Sequence, residues 1–272
     1  MALRINYNLA SSSAQRGLAS SQDAYAKQAQ RLSTGLRINS ASDDAAGMAV
    51  SEKLKNQVRG LNQAQRNAQD GVSLIQTAEG ALTETHSILA RMRELAVQSS
   101  NDTLTASDRA NANAEFTQLQ AEVTRIGNAT QFNGTSLLNG STSSITLQIG
   151  ANNGDTLAVA LTNNTAATLA VDTNNITTQA TASAAITALD AAINTVSTNR
   201  SNLGAMQNRL DSVTRSLAVA SENTSAANSR IADADIASSM SELVRSQILQ
   251  QAGVSVLAQA NQAPSMVLQL LK

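Results

Sequence analysis

His86 is the only imidazole among the 272 residues, and no thiol accompanies it because the sequence contains no cysteine. Disulfides, thiolate metal sites and cysteine nucleophiles are therefore excluded, and one ring cannot build a multi-histidine zinc site. A general base at His86 is chemically conceivable. The residue falls, however, at seam spacing in a long helical stretch, which reads as a structural position. The pair Asp43-Asp44 stands where a helix should begin, so its charges suit the free N–H groups of a helix N-terminus better than acid–base catalysis. Neither a P-loop nor a Rossmann glycine pattern occurs. The triplets Asn133-Gly134-Thr135 and Asn139-Gly140-Ser141 are of the Asn-x-Ser/Thr kind, but a chain so rich in Asn and Thr produces such triplets by chance. No cofactor, metal or catalytic residue is expected.

The composition asks for long elements rather than a thick core. Only 1% of residues are aromatic, with two Phe, two Tyr and no Trp, against 42% hydrophobic residues overall. Leu, Ile, Val, Met and Ala must then fill the interior, and these pack well along helix seams. A single Pro permits long uninterrupted helices. Nineteen basic and twenty acidic residues leave a net charge of −1, so no global field recruits nucleic acid or an anionic membrane. No apolar run approaches the roughly 20 residues that span a bilayer. The opening MALRINYNLASSSAQRG lacks the apolar stretch of a cleaved signal peptide, so export, if it occurs, is expected by another route.

Periodicity divides the chain. A weak helical stripe between Leu3 and Leu36 carries Leu18, Tyr25 and Leu32 at intervals of seven, flanked by Leu36. Gly35 and the run Asn39 to Asp44 predict a stop and a restart, with Ser42 or Asp43 as the cap. From Ala45 to about Gln98 the positions Leu54, Val58, Leu61, Ala68, Val72, Ile75, Leu82, Leu89 and Ala96 form a coiled-coil-like seam, with Gln65, Glu79, His86 and Arg93 as polar interruptions. Thr105 to Asp108 resembles a capping box ahead of a helix carrying Phe116, Leu119, Val123 and Ile126. The period then changes to two: Ile145, Leu147, Ile149 and Leu157, Val159, Leu161 flank a Gly/Asn loop and predict a β-hairpin. Helical spacing resumes with Ile186, Leu189, Ile193, Val196, Leu203, Leu210 and Leu217, and Arg200, Gln207 and Thr214 fill the remaining seam positions. A polar junction, Asn223 to Ser229, precedes a last stripe of Ile236, Met240, Leu243, Val254, Leu257, Leu268 and Leu271.

This order is nearly palindromic: weak helix, strong helix, β insert, strong helix, weak helix. It predicts a mainly α fold, an elongated antiparallel helical rod with a small β-hairpin insert and paired terminal helices. The expected division is residues 1–42 with 228–272 as a terminal helix pair. The rod then takes 43–227, with helices at about 45–99, 106–128 and 184–222 and an insert at about 131–180. The outer faces of the terminal segments are Ala, Ser, Gln and Asn, which can be buried against neighbours at small desolvation cost. Their few apolar side chains cannot offset the backbone entropy of ordering them alone, so the ends are expected to lack structure in the single chain and to fold on self-association.

Several runs resemble bacterial flagellins: Leu32 to Ser51 (LSTGLRINSASDDAAGMAVS), Arg91 to Gln98 (RMRELAVQ), Gln131 to Gly134 (QFNG), Ser229 to Asp235 (SRIADAD) and Ala258 to Pro264 (AQANQAP). The resemblance covers about residues 1–140 and 185–272 in the right order, and the short middle suits a form without large outer domains. It implies a structural subunit of the flagellar filament, exported unfolded through the flagellar type III apparatus and polymerised as a helical homopolymer. The partners it implies are further copies of the chain, the cap, hook–filament junction proteins and an export chaperone. It also implies that the stripes Leu18, Tyr25, Leu32, Leu36, Ile236, Met240, Leu243, Val254, Leu257, Leu268 and Leu271 drive assembly. Arg91, Leu95, Gln98 and Glu115 match positions where flagellins meet the flagellin-sensing Toll-like receptor of animal hosts; a contact between subunits is the alternative role for them. With one His, the H-E-x-x-H of the zinc-peptidase insert found in some flagellins cannot occur. Two rival readings are a hook–filament junction protein and a helical signalling hairpin; the C-terminal run disfavours the first, and the β insert at the turn the second.

Overall fold

The structure, a computed structural model, describes residues 8–270, with side chains through residue 262. In chain order it contains α1 (Leu9–Thr34), α2 (Ala45–Ser99), α3 (Ala106–Ala129), β1 (Gln131–Phe132), β2 (Thr135–Ser136), β3 (Ser144–Gln148), β4 (Thr156–Ala160), α4 (Gln179–Ala232) and α5 (Ile236–Leu270). The mainly α class and the small hairpin insert are as the periodicity requires. Two compact units form: one takes the chain up to Asn56 and again from Asn223 onward, the other Gln57–Glu222. Both divisions fall inside helices, α2 and α4, further into the chain than residue 42 and short of residue 228. The expected break at Asn223 to Ser229 is absent: α4 continues through it to Ala232, because polar side chains on a solvent-facing turn do not by themselves interrupt backbone hydrogen bonding.

In the unit Gln57–Glu222, α2 and α4 run antiparallel. As numbers rise along α2 they fall along α4: Asn62 accepts from Ser221 at 2.8 Å, Glu79 pairs with Arg200 at 3.7 Å, and Arg93 with Asp190 at 2.6 Å. The buried line of α2 is Leu61, Ala64, Ala68, Gly71, Ile75, Ala78, Leu82, Thr85, Leu89, Met92, Ala96 and Ser99, in unbroken steps of three and four. Half of the expected seam is therefore right. The other half is not Gln65, Glu79, His86 and Arg93, which lie on its flank, but the residues one position earlier, Ala64, Ala78, Thr85 and Met92, three of them small. Ala, Gly, Ser and Thr carry little hydrophobic signal, yet they are what lets helices approach closely. The same displacement occurs on α4, where Ala182, Ala185, Ala192 and Asn199 are buried and Ile186, Ile193 and Arg200 are half-buried.

The capping box of α3 is present as expected, with Thr105 and Asp108 bonding each other's backbone N–H. Arg109 then donates to the Ser99 and Asn101 carbonyls, both at 2.9 Å, closing the end of α2. Strands β3 and β4 pair antiparallel, with Ile145 opposite Val159 and Leu147 opposite Leu157. Leu157 and Val159 face the core while Thr156, Ala158 and Ala160 face outward. The hairpin lies directly on α2: a Cβ at Gly71 would collide with the Leu147 side chain, and one at Gly60 would sit 2.9 Å from the Ala151 methyl. Gln120 of α3 is buried, and its amide donates to the Val171 and Asn174 carbonyls at 2.5 and 2.8 Å. It thereby supplies the hydrogen bonds that a loop without secondary structure cannot supply itself.

In the other unit, α1 and α5 pair antiparallel. Among the described residues the terminal segments are thus helical, where the ends were expected to lack structure in the single chain. The covered positions of α1 include Ser11, Ala14, Leu18, Ser21, Tyr25, Gln28 and Leu32, again a three-four alternation. None of them is fully buried.

Candidate functional site

Two surfaces carry the residues singled out above. The first is built by the α1–α5 pair and the turn that leads from it. Gly35 ends α1 in a left-handed conformation, φ 71°, which favours glycine. The chain then forms an antiparallel bridge between Leu36 and Asp233. Arg37 N–H donates to the Ala232 carbonyl at 2.7 Å and Ala234 N–H to that of Gly35 at 2.9 Å. The Arg37 guanidinium reaches the Ile231 carbonyl at 2.7 Å. Asp43 does not cap α2, as had been one of the expectations. Its carboxylate accepts from the Asn39 and Ser40 backbone N–H groups and pairs with Lys27 of α1 at 2.7 Å. The Lys27 hydrogen bond foremost, and then the Asn39 N–H, hold that carboxyl far below the usual carboxylate range. Asp44 is the cap, accepting from the Gly47 N–H at 2.8 Å.

Along α5 the covered positions are Ser239, Leu243, Ser246, Gln250, Gly253, Leu257 and Ala260. The expected C-terminal stripe is therefore divided. Leu243 and Leu257 join the seam with α1, where Leu18 packs beside Gly253. Ile236, Met240 and Val254 are about half exposed, as are Val244, Ile248, Leu249 and Val256. Leu271 lies outside the described residues, as does the side chain of Leu268. The seam accepts small and polar residues because cross-helix hydrogen bonds satisfy them: Gln250 donates to the Ser21 carbonyl at 3.3 Å and Ser11 to Asn261 at 2.8 Å. The apolar residues are left on the outside. Asn8 contributes twice, accepting from the Ser11 N–H at 3.1 Å and donating to the Ala260 carbonyl at 2.8 Å. That carbonyl is the one whose helical donor would be residue 264, a proline with no N–H.

The second surface lies on α2 and α3. Arg91 Nε donates to Glu115 at 2.9 Å and its terminal nitrogen to Glu94 at 3.0 Å. Glu115 first, then Glu94, push the guanidinium pKa further up. Gln98, nearly two turns along, is exposed. Leu95 is not part of this surface. It belongs to the core and is 3% exposed, because its position flanks Met92, Ala96 and Ser99 on the buried side of the helix. The structure thus joins Arg91 to Glu115 across two helices and places Leu95 in the core.

Elsewhere, a cleft of about 380 Å³ lies between the β3–β4 loop and the helices, lined by Leu61, Ile149, Ala151, Asp155, Val213 and Leu217 among others. Its carboxylate, Asp155, accepts from the backbone and side-chain amides of Asn152. Among the described residues no three His, Asp or Glu side chains converge as a metal site would require, and no helix is long and apolar enough to cross a membrane.

Comparison with known proteins decides the family. The bacterial flagellin N-terminal helical region matches residues 5–143 and the bacterial flagellin C-terminal helical region matches residues 186–271. The chain belongs to the bacterial flagellin family. A flagellin of Halalkalibacterium halodurans is 52% identical over 98% of this chain and 99% of its own length. The Bacillus subtilis flagellin is 42% identical over 99% of this chain and 100% of its own. The crystal structure of Bacillus cereus flagellin superposes with a TM-score of 0.52 at 35% identity, covering 56% of this chain and 88% of that one. Identity over the whole length, both terminal regions included, separates this family member from a signalling hairpin.

Proposed function

We infer that the chain is a structural subunit of the bacterial flagellar filament and that the terminal segments, 1–42 and 228–272, are its polymerising elements. The observation that carries this reading is the outward face of α5. Ile236, Met240, Val244, Ile248, Leu249, Val254 and Val256 lie exposed on several sides of one helix, and no charged residue occurs from Ser246 to Gln262. Apolar side chains exposed on faces of a helix away from its seam call for burial elsewhere, and an exposed apolar patch of this kind marks an interaction site. The occupant is further copies of the same chain, since the exposed face of α1 offers Ala, Ser and Gln with few charges. Such contacts are heterologous and build an open helical polymer. The filament lies outside the cell.

The finer partners follow from family membership: export unfolded through the flagellar type III apparatus with a chaperone, assembly beneath the cap, and attachment through hook–filament junction proteins. Recognition by the flagellin-sensing Toll-like receptor is proposed through Arg91, Gln98 and Glu115, with Leu95 holding the α2 backbone against the core. Arg91→Ala is expected to weaken receptor signalling by the monomer, and an unchanged response would count against that surface.

Electron microscopy of purified protein seeded with short filaments tests the subunit reading. Long tubes are expected from the intact chain and none from a chain lacking residues 1–40 and 230–272. An intact chain that stays monomeric would overturn it.

A further inference from the structure

Among the described side chains, methionine occurs at positions 48, 92, 206 and 240. Met92 is fully buried, Met48 and Met206 are half-buried, and Met240 is 48% exposed. Thioether oxidation follows access, so the four sulfurs are graded by the fold, with Met240 the most open. It is also the one set among exposed apolar neighbours. The side chains one turn away on α5 are Ile236, Ala237, Leu243 and Val244, none of which can donate a hydrogen bond.

We propose that Met240 is a redox modification site of the free subunit, at which peroxide oxidation blocks incorporation into the polymer. The inference rests on the outward face of α5 being the polymerising surface. In the step, a sulfur lone pair attacks one oxygen of hydrogen peroxide. The S–O bond forms as the O–O bond breaks, and the departing hydroxide takes the proton carried by the transferred oxygen and leaves as water. Sulfur is oxidised to the sulfoxide and peroxide is reduced. The new oxygen is a strong acceptor on a face that assembly must dry, and none of the α5 side chains one turn away can donate to it. Leaving a polar group buried without a partner disfavours assembly by about tenfold or more. The same geometry makes the site self-protecting: once a subunit is incorporated, neighbouring copies cover the sulfur, so the vulnerable form is the unassembled subunit.

The test needs no variant. Monomer is treated with hydrogen peroxide to an extent at which most chains carry at most one added oxygen, quenched with catalase, and seeded with short untreated filaments. Sedimented polymer and supernatant are then compared by peptide mass spectrometry. Met240 sulfoxide is expected to be depleted about tenfold in the polymer, while Met48 and Met206 sulfoxides distribute evenly. Equal Met240 sulfoxide in both fractions would overturn the proposal. Preformed filaments are expected to show Met240 protected from peroxide relative to monomer, and equal oxidation rates would also overturn it. Failure of untreated chain to sediment at all would instead remove the subunit reading, and this inference with it.

Discussion

Asn8, Gln120 and Asp43 show how single polar side chains hold this chain's backbone. The carbonyl of Ala260 takes its hydrogen bond from Asn8 at 2.8 Å, in place of the N–H that Pro264 lacks. Asn8→Ser keeps a capping oxygen for α1 but removes that donor, and is expected to weaken the α1–α5 pair by about 1 kcal/mol. In a Pro264→Ala background the helix supplies its own N–H, so the cost of Asn8→Ser should largely vanish. Amide hydrogen exchange across the four chains of the cycle measures the coupling. Gln120→Leu leaves the Val171 and Asn174 carbonyls without their donor, which predicts a loss of about 2–4 kcal/mol from the unit containing α3, measured by thermal unfolding. Asp43 sets a pH dependence. Its carboxyl is depressed in the folded state, so its contribution is fully present above the unfolded value of about 4 and fades as pH falls through and below that range. Asp43→Asn should free the turn at neutral pH, seen as faster tryptic cleavage after Lys27 and Arg37, and the difference from the unsubstituted chain should shrink in strong acid.

At the scale of elements, close approach decides what packs. The second seam line of α2 is Ala64, Gly71, Ala78, Thr85, Met92 and Ser99, and its smallest member admits the hairpin. Gly71→Val would place methyl groups where Leu147 now lies and should lift β3–β4 from α2. The expected result is rapid amide exchange at Ile145, Leu147, Leu157 and Val159 while the α2–α3 contacts persist. Surface ion pairs such as Arg93–Asp190 tie the helices in register but contribute little stability at this exposure. The α1–α5 seam uses the same three-four alternation with Ser, Gly, Ala and Gln at most positions, which makes the pair narrow in contact and weak alone.

At the scale of the molecule, the two units differ in what completes them. The unit Gln57–Glu222 holds the main core, from Ala68 to Leu210. The other has no fully buried residue in α1 and, among the described side chains of α5, only Ser239 and Ser246 buried. Dilute monomer should therefore show fast amide exchange along α1 and α5 and slow exchange along α2 and α4, with the terminal helices becoming protected on polymerisation. Val244→Asp or Ile248→Asp should raise the critical concentration by an order of magnitude or more, since each would bury an unpaired charge, and should leave the melting of the core unit unchanged.

The amino-acid order by itself determined the order of the helices, the β3–β4 hairpin and its alternation, the Thr105–Asp108 capping box and the family, but not the short β1–β2 pair or the continuation of α4 to Ala232. These are local patterns, or runs of residues whose identity is enough. Which residues of a helix form its seam was decided only by the tertiary structure. A heptad written in Leu and Ile shows one line, but the partner line, apart from Met92, is Ala, Gly, Ser and Thr with little hydrophobic contrast, so Gln65, His86 and Arg93 looked equally eligible. Leu95 was singled out by the resemblance alone, and packing places it in the core. By the seam pattern, Ile236, Met240 and Val254 read as one stripe with Leu243 and Leu257. Hydrophobicity says that such residues will be buried. It does not say whether their own chain or another copy will bury them, because that depends on which face α1 covers, and α1 covers the face whose small side chains let it come near.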